Sequence, residues 1–569
     1  MNADEFERLV RGGRSFAGAR ILRLDLTKRT LAKARFTKTK LEEMILDACD
    51  LTGAELAGAE LTKVRARGVI LDDAHLEDVK SLLCDLTGAK LRRARLARAF
   101  LPQLAMRGAD LAGAELRGAV LVGADLTGAS FAGADLTGAR LDLAKLDGAD
   151  FRGATIDTTT FHKATLRGAR FDGVKASVGS FAAADLTGAD FTGAELDRCV
   201  FAQADLTDVK LARSMPVCVF TDAKLGRTDG KPVDFSGTDL TNASFSGSDL
   251  RGASFKGANL EGALFAMMDL GATDWTDAKL YRLAFARAKL GAVDLSDRDL
   301  ELTGFIECDL EGASFANSRF ERVTFQESKL ANADFRQATL KSVVFTQATM
   351  PGWKLERTWF ENCDLSEVDS AHLVFDGMTY RRCCFTDVSL RGRDLRGSDL
   401  SGSTFWRTDL SLARLDEVDV SKATFLEANL ETASLAKAQG KGACFADAKM
   451  KGAVLTQASL RYASFASAGV EGVSFIECDL RGASFEDARA ARSTFAGARM
   501  EGADMSHADV TDADFTQTDL RQANLHDWKS AGAKLGLAIM VDVRPTDADR
   551  LEAENWKMKR PPGRAGATK

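Results

Sequence analysis

The sequence predicts an all-β fold in which the chain winds four-sided coils of short parallel strands, with a short cap at each end. Two observations carry this expectation. From Ala124 to Phe151 the chain reads ADLTGASFAGADLTGARLDLAKLDGADF, placing a large apolar residue at Leu126, Phe131, Leu136, Leu141, Leu146 and Phe151 and an alanine two positions before each. In addition, phenylalanine recurs at every twentieth position, first as Phe245, Phe265, Phe285, Phe305, Phe325 and Phe345. After Leu365 it resumes as Phe385, Phe405, Phe425, Phe445, Phe465 and Phe485.

A period of five fits neither regular element. On an α-helix, five steps of about 100° wind the apolar residues around the axis, and in a straight strand an odd spacing throws successive ones onto opposite sides. If the chain instead turns about 90° every five residues, each short side points its Leu or Phe, and the alanine before it, at a common axis. Four sides close a coil of about twenty residues, and stacked coils pair as parallel strands about 4.8 Å apart. Four large side chains already fill such a layer, so the second inward position must be small. Residues one coil apart then lie over each other, and the two phenylalanine runs become ladders of stacked rings, each pair contributing about 0.5–1.5 kcal/mol beyond area burial. Gly128 and its equivalents supply the turn.

This pattern resembles the pentapeptide-repeat family over nearly the whole chain. The resemblance implies a right-handed quadrilateral β-helix.

Taken in order, residues 1–15 precede the first repeat, and Asp4 to Val10 are expected to form a short helix, with Phe6, Leu9 and Val10 on one side, capping the open first layer. Residues 16–211 form a first β-helix segment, less regular at Ala66, Ser81 and Pro102. Residues 212–234 form a register break and loop: Leu211 and Phe220 are nine apart instead of ten, and Pro216, Pro232 and GRTDGKP lie beside the slip. Residues 235–535 form the second β-helix segment. Residues 536–569 supply a last strand in LGLAIMVDV, a helix from Asp547 to Lys559 with Thr546 as its N-cap, and a disordered tail after Pro561 and Pro562.

Composition narrows function mainly by exclusion. Lys plus Arg number 76 and Asp plus Glu 82, a net charge of -6 with the signs interleaved, so neither a nucleic-acid footprint nor a strongly acidic field stands out. No apolar run reaches the roughly 20 residues of a membrane span, and MNADEFERLVRGG lacks a secretory signal's apolar core, so the expected location is the cytoplasm without membrane insertion. Cys49, Cys84, Cys199, Cys218, Cys308, Cys363, Cys383 and Cys478 fall at the small inward position and read as core fillers; Cys384 and Cys444 point outward. His75, His162, His372, His507 and His526 read as scattered surface or turn residues with no metal-ligand spacing, and Gly440-Lys441-Gly442 lacks the setting of a phosphate loop. Aspartates such as Asp125, Asp135 and Asp150 share their register with Lys90, Arg140 and Ser130, which suits a solvated wall better than paired catalytic acids. The expectation is a non-enzyme with no catalytic, cofactor-binding or metal residues and no cofactor.

Outward aromatics are scarce, and Trp and Tyr anchor many protein interfaces. Tyr281, Trp353, Trp359, Trp406 and Tyr462 are therefore the candidate partner-binding residues. Trp353 occupies a nominally small inward position, which predicts a bulge over Pro351–Lys354. The functional expectation is an interaction scaffold or adaptor with protein partners of unspecified identity and no nucleic acid. The family resemblance adds three implications: a role in bacterial type VI secretion or with its effectors, a homodimer through a terminal cap, and, as the alternative, DNA mimicry that binds type II topoisomerases such as gyrase and confers quinolone or toxin resistance.

Overall fold

The computed structural model describes residues 2–556. They separate into two compact units, one comprising the residues up to Asp294 with Glu301–Leu310, the other Leu295–Leu300 and the residues from Glu311 onward. Each is a parallel β-solenoid with a twenty-residue coil: Asp125 bridges Lys145 in the first, and Asp409 bridges Asn429 in the second.

One repeat shows how the sequence builds the coil. Leu126 and Ala124 are fully buried. The Leu126 amide donates to the Lys145 carbonyl of the next coil at 2.8 Å, and the Ala129 amide donates back to the Leu126 carbonyl at 2.9 Å to close the corner. At the corner Gly128 adopts φ 67°, the left-handed region where a missing Cβ removes the steric cost. Asp125 Oδ1 accepts from the amide and hydroxyl of Thr127, so the recurring Asp-Leu-Thr is a turn clasp. Strands are three residues long where they are continuous: β1 (Arg20–Leu22), β2 (Lys40–Glu42), β3 (Glu60–Thr62) and β4 (Lys80–Leu82) pair in parallel, with Leu61 opposite Ser81.

Helix α1 (Ala3–Arg11) covers the first layer. Asn2 caps it by accepting from the Glu5 amide, and Phe6 and Val10 are buried. The Phe6 ring lies 4.7 Å from Phe16 and 6.1 Å from Phe36. Leu9 is only half-buried.

At the register break, Val200 bridges Val219, nineteen residues on, and Val219 bridges Ser244, twenty-five residues on. A short coil is followed by a long one that carries the 226–233 loop, and the interior is continuous through both. Phe201 stacks on Phe220 at 5.3 Å and Phe220 on Phe245 at 4.9 Å. The ladder therefore begins earlier than Phe245, at Phe161, and a second column, Phe131, Phe151, Phe171 and Phe191, faces it edge-on. Phe245, Phe265, Phe285 and Phe305 continue the stack in the first unit. In the second, Phe325 stacks on Phe345, and Phe385 to Phe485 stack at 4.7–5.1 Å.

Trp353 departs from expectation. Pro351–Lys354 keep the regular coil, with Lys354 bridging Asp334, and the indole is 6% exposed. The irregularity lies one coil later, where a 3-10 turn at Ser370–His372 puts a serine at the position of a large inward residue. The indole packs against Phe335, Phe345 and Phe360, and donates its N–H to the His372 carbonyl of that turn at 2.7 Å.

The last coil bridges its predecessor through Ile539 and Arg544, but its inward residues Leu535 and Met540 are 39% and 37% exposed. Helix α2 (Ala548–Asn555) follows with Asp547 as its N-cap, not Thr546, whose hydroxyl oxygen instead accepts from the Asp527 amide. The expected extension of this helix to Lys559, and the tail after it, lie outside the described residues.

Candidate interaction surfaces

Four of the five aromatics selected from sequence are partly exposed. Tyr281 lies in the first unit, at 37% exposure. In the second, Trp359 pairs through its strand with Thr339 and Thr379, whereas Trp406 sits more than two coils further along the chain, just past a corner. The Arg407 guanidinium lies 4.0 Å above the Trp406 ring and is itself held by Asp387, so one face of that indole is already occupied. Tyr462 lies over Gly482 of the next coil, where an added Cβ would meet the ring at 2.7 Å. Trp353 is buried and presents nothing to a partner.

The surface that sequence reading missed surrounds Ser81. Strand β4 turns Ser81 inward, 5% exposed, and its hydroxyl finds no hydrogen-bond partner. Beside it Leu82 and Leu83 are 58% and 69% exposed, and Phe100, bridged to Lys80 on the next coil, is 49% exposed. Behind this wall lies an apolar cavity of about 40 Å³, lined by Leu61, Ala66, Ser81, Leu86 and Leu101 among others. A one-residue slip would exchange Ser81 for Leu82 in the core. The signal was legible as a small residue at an inward position followed by two leucines.

Many wall charges pair with the opposite sign, between coils or within one turn. Arg92 and Asp110 approach to 2.5 Å, Arg117 and Asp135 to 2.5 Å, and Arg167 and Asp185 to 2.6 Å. Partial burial would raise Asp190, but the Lys210 ammonium at 2.8 Å and the Thr192 donors outweigh it and hold the carboxyl at about 2. The Arg396 guanidinium likewise holds Asp394 at about 2. These carboxylates are engaged in turns and ion pairs, which leaves no acid–base pair poised for catalysis among them. The eight inward cysteines are buried and free, while Cys384 and Cys444 are half-buried. Two of the histidines expected to be scattered, His507 and His526, meet each other and Glu554 at the end of the second unit.

Coils of this kind define a repeat solenoid. The family model for pentapeptide repeats (8 copies) matches residues 34–73, 84–121, 106–142, 144–173, 180–214, 233–265, 383–421, 413–452 and 441–482, and that for the pentapeptide repeat region matches 299–375 and 468–538. The chain belongs to the pentapeptide-repeat family. Among solved structures, it is 23% identical to a trypsin-treated form of QnrB1, a plasmid-mediated fluoroquinolone resistance protein, over 40% of this chain and 92% of that one, with a TM-score of 0.22. It is 27% identical to HetL of Nostoc sp. strain PCC 7120, involved in heterocyst differentiation regulation, over 50% of this chain and 94% of that one, with a TM-score of 0.17. No curated protein matches the chain. No helix among the described residues is long and apolar enough to cross a membrane.

Proposed function

We propose that this chain is a non-enzymatic, cytoplasmic scaffold that presents β-helical walls and ends to protein partners, with Leu82, Leu83 and Phe100 as its first docking surface. One observation carries the reading. Around Ser81 the fold forgoes a well-filled core, leaves a buried hydroxyl unpaired and exposes two leucines and a phenylalanine. Each of these costs stability without helping the coil close. Local departures of this kind, in a repeat that elsewhere obeys its own rule, mark surfaces kept for binding. Tyr281, Trp359, Trp406 and Tyr462 are secondary contacts, separated from one another.

The finer assignment is an adaptor for a bacterial type VI secretion apparatus or its effectors, supported by the length of the array and its balanced charge. Self-association through the last coil, where Leu535 and Met540 are exposed, belongs to the same proposal. DNA mimicry needs a long uncompensated acidic wall, and the paired carboxylates above do not favour it.

The test is affinity capture from the native cell, comparing wild type with the Leu82→Ser/Leu83→Ser double variant. The scaffold reading expects secretion-spike or effector proteins on the wild type and their loss from the variant at unchanged melting temperature. Equal capture by both dismisses this surface, and recovery of gyrase or topoisomerase IV revives the mimicry.

A further inference from the structure

Helix α2 needs something other than apolar contact to hold it against the coils. It has eight residues and none is buried, and an isolated helix of that length does not persist in water. Its ties to the solenoid converge on two histidines. His507 and His526 are nineteen positions apart, close to one coil, so their rings come together, with centroids 5.1 Å apart and planes at 85°. Glu554 reaches back from α2 and places Oε2 3.1 Å from His526 Nε2 and 3.4 Å from His507 Nε2. One ligand atom from each of the three residues lies within 4.8 Å of the other two.

The surrounding groups orient these atoms as ligands. Asp527 Oδ2 lies 3.3 Å from His507 Nδ1, the carboxylate–imidazole pairing that in metal sites keeps the hydrogen on Nδ1 and leaves the other nitrogen's lone pair for the ion. With the hydrogen on Nδ1, that lone pair and the Glu554 carboxylate, 3.4 Å away, stand where one cation would draw both. Arg550 donates to Glu554 Oε1 at 2.6 Å and leaves Oε2 for the ion.

We propose that His507, His526 and Glu554 bind a divalent transition-metal ion of the zinc class, which fastens α2 to the last coils. Ligand atoms about 2.1 Å from a tetrahedral zinc sit about 3.4 Å from one another, which the two distances to Glu554 already approach. Three protein ligands leave a fourth position for water. His526 is 2% exposed, so the ion sits against the coil wall. In the ion-free form the Asp547 amide donates to His526 Nδ1 at 3.1 Å, which keeps a hydrogen on Nε2 and directs it at Glu554. The ion replaces that hydrogen, Nδ1 takes one up from solvent, and the Asp547 amide turns aside. Loading therefore shifts the first turn of α2.

The test uses the full, untagged chain, stripped with chelator and then titrated with Zn²⁺ by calorimetry and with Co²⁺ by visible absorption. The proposal expects one ion per chain, the intense d–d bands of four-coordinate cobalt, and slower amide exchange over residues 548–555 once zinc is present. His507→Ala and Glu554→Gln should each weaken binding at least tenfold while the far-ultraviolet spectrum is unchanged, and His75→Ala, on an exposed wall of the first unit, should leave it intact. Absence of the cobalt bands at stoichiometric ion, or affinity unchanged in both His507→Ala and Glu554→Gln, overturns the site.

Discussion

The coils around Ser81 and those from Phe385 to Phe485 are written in one repeat, yet their interiors differ. In the first region the inward column reads Ile21, Leu41, Leu61, Ser81 and Leu101, and the neighbouring one Leu46, Ala66 and Leu86, so two large positions hold small residues and a cavity follows. In the second, six phenylalanines stack at 4.7–5.1 Å without interruption and every one is fully buried. The pentapeptide thus fixes the path of the backbone, while the choice of inward residue sets local packing coil by coil. Because coils of a solenoid touch only their neighbours, such differences remain local.

Substitutions should therefore act oppositely in the two regions. The largest effect is expected from Phe425→Ala, which removes one ring from a filled stack and should cost about 3–5 kcal/mol, read as a lower melting temperature and faster amide exchange in the adjoining coils. Ala443→Leu adds volume two positions before Phe445, where none is free, and should cost about 1–3 kcal/mol by overpacking. Ser81→Leu makes the same kind of change where the column has a gap, restores the leucine run and removes an unpaired hydroxyl. It should stabilise by about 1 kcal/mol. Were Ser81→Leu as damaging as Ala443→Leu, the contrast between the regions would collapse.

Smaller effects follow from titration. Asp190 and Asp394, held at about 2 against about 3.9 in an unfolded chain, stabilise the fold fully above about pH 4. That contribution is lost as pH falls from 4 towards 2, so acid titration followed by circular dichroism should show weakening in that window and none between pH 5 and 8 from these groups. Smallest of all is a difference in thiol reactivity. Burial pushes Cys478 up to about 12, and it is 0% exposed, whereas Cys84 lies 6% exposed in the loosely packed region. Cys84 should react with a disulfide reagent before Cys478, and after the half-buried Cys384 and Cys444.

Much of the fold was legible because the repeat states its own geometry. The coil of twenty, the inward alanines and cysteines and the phenylalanine ladders all follow from spacing. Trp353 was misread because the turn at Ser370–His372 that holds its indole lies in the following coil, and a rule applied one coil at a time does not see vertical neighbours. That the nineteen-residue coil is followed by a twenty-five-residue one was hidden for the same reason. The exposed apolar patch was visible as Ser81-Leu82-Leu83, but reading it required knowing that the register holds there. His507 and His526 were read as scattered because their partner, Glu554, comes from outside the repeat.

The central claim is that the Ser81 coils forgo packing for exposed apolar surface. Amide hydrogen exchange of the intact chain tests it most directly. Residues 61–101 should exchange measurably faster than residues 405–485, and Ser81→Leu should slow the former without altering the latter. Equal protection in the two regions of the wild type would contradict the account.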